Sequence, residues 1–222
     1  MKPRVAAALG VAVVLAMLGF SAWAWLQLPA STPLPIHWDA SGNANGYASK
    51  PVALLIAPAI TASVILVMLA LPRIEPRRAN LLQSVKAYSS IFLALVLFLA
   101  SVHVATVSAA LSDRRLHANL VTVGLGLLVA VLGNYLGKLR SNFLVGIRTP
   151  WTLSSDLSWN RTHRLAGRLL VTCGLAITAL ALVGYRSAIT VAVAMLLAVA
   201  LISAAYSYLV WRDERARSVI DT

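Results

Sequence analysis

The sequence predicts an all-α membrane protein of six transmembrane helices, and three observations carry that prediction. Of 222 residues, 59% are hydrophobic and only 12% charged, against about a quarter charged in a soluble domain, and the mean hydropathy is +0.81. Six apolar stretches are each long enough to cross ~30 Å of hydrocarbon, which takes about 20 helical residues. The basic residues gather in alternate loops, the pattern that orients transmembrane helices.

The spans run near 5–28, 52–71, 87–111, 118–137, 165–184 and 187–211. Lys2 and Arg4 precede the first, and Ala22-Trp23-Ala24 imitates a signal-peptide cleavage site. Its apolar core exceeds the roughly 7–15 residues of a signal peptide, so it reads as an uncleaved span. Fifteen of the nineteen Lys and Arg lie at the amino terminus, in the second and fourth loops and in the tail, leaving only Lys50, Arg114, Arg115 and Arg186 for the other side. The positive-inside rule then predicts both termini in the cytoplasm and a multi-pass protein of the inner membrane. Because topology accounts for the net charge of +12, direct nucleic-acid binding is not expected.

Trp23, Trp25, Trp38, Trp151, Trp159 and Trp211 all fall near span ends, where an indole suits the headgroup level. The single cysteine, Cys173, excludes an intramolecular disulfide and a thiolate-rich metal site, and reads as a small packing residue. The chain divides into 1–71, two spans and the outer loop between them, and 72–222, four spans with a long cytoplasmic loop.

The outer loop contains PLPIHWDASGNANGYASK. Pro33 and Pro35 oppose a helix, while Gly42 and Asn45-Gly46 supply turn chemistry, so a short hairpin is expected at the membrane surface. Asp39, Ser41, Asn43 and Asn45 have the spacing of a calcium loop, but its sixth position is Ala44 and its twelfth Lys50, which argues against calcium. His37 beside Trp38 and Asp39 is either hydrogen-bonded within its own turn or a ligand contact.

The fourth loop carries GIRTPWTLSSDLSWNRTHRLAGR. Pro150 predicts an extended approach, and Ser154, Ser155 and Asp156 offer N-cap oxygens to a helix starting there. Trp159 and His163 share one face of that helix, which is expected to lie in the interface before turning into the fifth span at Gly167. Its basic residues suit anionic headgroups. The polar run from Thr149 to His163 exceeds what a juxtamembrane helix needs, so the loop is either a folded cap on the bundle or a docking surface. Arg148 and Asp156 are the expected ion pair. The candidate binding residues are His37, Trp38 and Asp39 outside, and Arg148, Trp151, Asp156, Trp159, His163 and Arg164 inside.

No catalytic constellation is expected. Ser154 or Ser155, His163 and Asp156 have triad residue types, but they lie within one short helix, whereas triads converge from separate elements. No cofactor or metal motif is present. All seven Asp and Glu lie outside the spans, and among Asp, Glu, Lys, Arg and His side chains His103 alone lies within a span well away from its ends. It is either a neutral side chain bonded across helices near Ser101 and Thr106, or a functional group of a small transporter or channel.

PIHWDASGNANGYASK and GNYLGKLRSNFLVGIRTPWTLSSDLSWNRTHRLAGR together resemble the two signature segments of the SdpI family. The first is similar to that family's amino-terminal domain of unknown function at Pro35, His37, Trp38, Gly42, Gly46, Ser49 and Lys50. The second carries the more specific likeness, at Asn134, Asn142, Gly146, Ile147, Arg148, Thr149, Pro150, Trp151, Thr152, Trp159, Thr162, His163, Arg164 and Gly167. The resemblance implies a membrane immunity protein against the secreted peptide toxin of the sporulation-delaying system, which also recruits a cytoplasmic autorepressor. By topology the toxin would meet the outer face, and the repressor would dock at residues 138–168.

Overall fold

The computed structural model describes residues 3–29, 33–39, 43–112 and 118–220. Lys2, Ser41, Gly42, Arg114 and Arg115 lie outside them. In chain order the elements are α1 (Pro3–Gln27), β1 (Leu34–Trp38), β2 (Ala44–Ala48), α2 (Lys50–Ile74), α3 (Arg78–Gln83), α4 (Val85–Ser112), α5 (Ala118–Leu136), α6 (Pro150–Ser154), α7 (Asp156–Leu182) and α8 (Ala188–Ile220). Six of these helices, all but α3 and α6, are long and apolar enough to span a bilayer, as the hydropathy predicts.

Helix boundaries follow local chemistry. Ser49 caps α2 in an extended conformation with Pro51 in its first turn, where a missing N–H leaves no intrahelical bond unmade. The same helix accommodates Pro58 and Pro72 in its interior and continues to Ile74, past the apolar run that ends at Leu71. Gly184, at φ +73, terminates α7 just after its last turn.

The spans pack as two groups. Helices α1, α2 and α4 contact one another, α7 contacts both α5 and α8, and the α4–α5 contact joins the groups. In the first group, Ser21 Oγ donates to Leu54 O at 2.7 Å and lies 3.1 Å from His103 Nε2, which also lies 3.3 Å from Met17 O. Because the serine proton is already committed, His103 donates through Nε2–H. The buried histidine thus ties α4 to α1, rather than bonding the side chains of Ser101 or Thr106, which bond Phe98 O and His103 O.

In the second group glycines let two backbones touch. A Cβ at Gly133 would stand 2.6 Å from Gly167 O, and one at Gly174 only 2.4 Å from Ala130 N. Small residues at such spacing permit the close approach that drives helix association in lipid. Gly167 is therefore a packing residue within a continuous helix, and the expected turn there does not occur: α7 runs unbroken from Asp156. Its 27 residues extend ~40 Å against ~30 Å of hydrocarbon, so about two turns project beyond the bilayer core.

One end of the bundle gathers the start of α1, the α2–α4 connection, the segment from 137 to 155 and the end of α8, as the contacts below show. The opposite end carries the β1–β2 hairpin.

Candidate functional site

At the hairpin end, β1 and β2 pair antiparallel with His37 opposite Gly46 and Trp38 opposite Ala44, and the register is irregular on both sides of His37. His37 Nδ1 lies 2.5 Å from Asn45 Oδ1, so the imidazole is bonded within its own hairpin and remains exposed. Asp39 closes the turn, its Oδ1 accepting from Asn43 N at 2.9 Å and its Oδ2 from Asn43 Nδ2 at 3.1 Å. Leu34 is buried with Ala24, Leu28, Leu54 and Val107, which seats the hairpin on the helix ends. Lys50 secures the same junction: its Nζ donates to Leu28 O at 2.5 Å and stands 4.9 Å from the Trp25 ring centroid. A desolvated ammonium needs such partners. His37 and Asp39 are exposed and Trp38 is half-buried, so the three share one small surface.

The other end is a folded platform. The carboxylate of Glu75, beyond the last turn of α2 and only 4% exposed, accepts from Phe143 N, Leu144 N and Arg77 N at 2.9 to 3.2 Å. Asn142, fully buried, spends both ends of its amide on the same turn: Oδ1 accepts from Leu144 N and Val145 N, and Nδ2 donates to Arg140 O and Val145 O. Arg77 donates to Ser141 Oγ and to Leu153 O, stacks 4.7 Å over Phe143 and stands 4.0 Å from Asp156. Asn80 Nδ2 donates to Ser141 O at 2.8 Å, and Ser84 Oγ accepts from Arg140 N at 2.8 Å. The second loop and α3 thereby hold the loop that follows α5.

The first turns of α7 form the platform's core. Trp159 is fully buried, donates Nε1–H to Leu139 O at 2.8 Å and stacks on His163 at 3.9 Å between ring centroids. His163 Nε2 accepts from Ile147 N at 3.0 Å and its Nδ1 lies 2.8 Å from Trp159 O, an arrangement that fits only the neutral Nδ1–H tautomer. Gly146 adopts φ +124, and a Cβ there would fall 2.5 Å from His163 Nε2, so both conformation and space require glycine. Thr149 caps α6 in a capping box with Thr152 and reaches Ser207 Oγ at 2.9 Å. Ser158 Oγ donates to Ser207 O at 2.8 Å, and Ser155 bonds Glu214, which brings α8 into the same assembly.

This geometry revises several expectations. Trp159 is not an interfacial anchor: its burial places it, with His163, in the platform's interior. Arg148 donates to Phe143 O at 3.4 Å and does not pair with Asp156, whose partner is Arg77. Trp151 is half-buried 5.2 Å from Tyr208. Of the predicted inner residues, Asp156 and Arg164 come together in a polar cleft of about 360 Å3, shared with Asn80, Arg140, Ser141 and Asn160. Glu75, Arg77, Ser207 and Glu214 were not singled out by sequence reasoning, and Asn142 was marked only as a position of family likeness. For Glu75 a signal exists, a lone acid in the basic run PRIEPRR.

Six spanning helices with a polar platform built on one end define a multi-pass integral membrane protein. Residues 138–210 match the SdpI/YfhL protein family, and residues 12–62 match a domain of unknown function, DUF1648. Over 201 residues the chain is 26% identical to the immunity protein SdpI of Bacillus subtilis (strain 168), covering 89% of this chain and 93% of that one. The chain is thus similar to the SdpI/YfhL family through residues 138–210 and is a multi-pass bacterial inner-membrane protein. No solved structure matches it.

Proposed function

We propose that this protein is an immunity protein that protects its cell from a membrane-active peptide toxin and passes the encounter to a cytosolic repressor. The observation that carries the proposal is the similarity to an immunity protein across nearly the whole length of both chains. Binding without turnover needs an accessible surface on each side of the membrane. The outer candidate is the hairpin face of His37, Trp38 and Asp39. The inner candidate is the exposed rim of residues 138–168, where Arg148, Asp156 and Arg164 reach solvent around a core built on Trp159 and His163, with Trp151 half-buried beside them. In this reading residues 1–71 supply toxin contact and 72–222 the transmitting platform.

The test is survival of a toxin-sensitive bacterium expressing the protein and challenged with the sporulation-delaying peptide, in parallel with His37→Ala/Trp38→Ala at equal membrane level. Protection that falls at least tenfold in the double variant supports contact at the hairpin. Absence of protection by the unaltered protein against this and other pore-forming peptides overturns the immunity reading.

A further inference from the structure

We infer that the α1–α2–α3–α4 junction is a binding groove for a single anionic phospholipid, separate from both surfaces assigned above. A cavity of about 630 Å3 opens there, within the roughly 300–1,000 Å3 usual for small-molecule sites. Its walls are apolar, including Ala6, Met68, Val85 and Phe92, and its lining includes the arginines Arg4, Arg73 and Arg78. The three come from three different elements, so only the tertiary fold brings them to one opening.

None of the three is engaged by an acid among the described residues, and all are exposed. Arg73 donates one bond to Leu69 O at 2.7 Å, which leaves other N–H groups of its guanidinium free. A guanidinium cluster beside an apolar cleft complements a phosphodiester joined to acyl chains, because planar N–H pairs bind phosphate oxygens while the cleft accepts hydrocarbon. A soluble phosphate would satisfy the arginines but leave the apolar walls uncovered.

A second observation points into the same cavity. Ser89, 1% exposed, lines it and its Oγ has no hydrogen-bond partner in the described structure. Buried hydroxyls are normally paired, and a phospholipid's ester oxygens are acceptors of the kind this hydroxyl lacks.

The experiment is native mass spectrometry of the full-length protein released from nanodiscs of equal phosphatidylglycerol and phosphatidylcholine. One retained phosphatidylglycerol is expected, favoured at least tenfold over phosphatidylcholine. Arg4→Gln/Arg73→Gln/Arg78→Gln should lower that ratio to about one, while Arg212→Gln/Arg215→Gln/Arg217→Gln, which removes equal charge elsewhere, leaves it unchanged. Leu82→Trp, which fills the groove and keeps every arginine, should cut retention severalfold. Equal retention of the two lipids, equal loss in both triple variants, or undiminished retention in Leu82→Trp would each overturn the proposal. So would a dimer mass in place of a lipid adduct.

Discussion

The carboxylate of Glu75 accepts from the backbone N–H of Phe143 at 3.0 and 3.2 Å, so the end of the second span holds a loop that follows the fourth. The bond is charge-assisted and buried, the kind whose removal leaves peptide groups without partners. Glu75→Ala should destabilise the platform by about 3 kcal/mol and, by loosening the backbone around the already exposed Arg140 and Arg148, speed tryptic cleavage there in inverted membrane vesicles. Glu75→Gln, which keeps an acceptor oxygen, should fall between. Unchanged cleavage of the alanine variant would show that the platform stands without this contact.

Gly146 makes a sharper case, because strain and space act together. Gly146→Ala should cost about 2 kcal/mol or more, from the positive φ and from the clash with His163. Gly19 is the control: a Cβ there meets nothing within 4 Å, and Gly19→Ala removes a poor helix former, so it should be neutral or slightly stabilising. Thermal unfolding of the two variants in detergent, read by tryptophan fluorescence, decides whether they separate in this order.

Trp159→Phe keeps an aromatic ring against His163 but deletes the donor to Leu139 O. An unpaired buried carbonyl costs about 1–3 kcal/mol, so this variant should lower thermal stability by that much and leave membrane insertion unchanged. An interfacial tryptophan would tolerate the change. Comparing Trp159→Phe with Trp23→Phe, whose indole is 52% exposed, therefore separates the interior role from the headgroup role.

We propose a cytoplasmic location for the platform from the distribution of Lys and Arg. In a Cys173→Ser background, Tyr47→Cys on the hairpin should react with a membrane-impermeant maleimide added to intact spheroplasts. Ser154→Cys on α6 should react only after lysis. The reverse pattern would invert the orientation and move any toxin contact to the platform.

The spans were legible because a transmembrane helix is specified by a local quantity, the hydropathy of about 20 consecutive residues. The hairpin was legible for a similar reason, since Pro33 and Pro35 oppose a helix locally, but Asn45-Gly46, expected in the turn, lies within β2, and Asp39 and Asn43 close the turn instead. The platform's wiring was not. Arg77 and Asp156 are far apart in sequence, and nothing local distinguishes Arg77 from Arg148 as the partner of that carboxylate. Trp159 misled because an indole near a span end suits the headgroup layer, and only the packing of Leu139, Ile147 and His163 around it shows that it is enclosed. Gly167 looked like a bend because glycine is locally permissive, whereas its use is to admit the backbone of α5. Sequence by itself determined that this protein spans the membrane six times and carries a hairpin. Tertiary structure decided which polar groups meet, because a hydrogen bond depends on ångström distances between atoms that the chain separates by tens of residues.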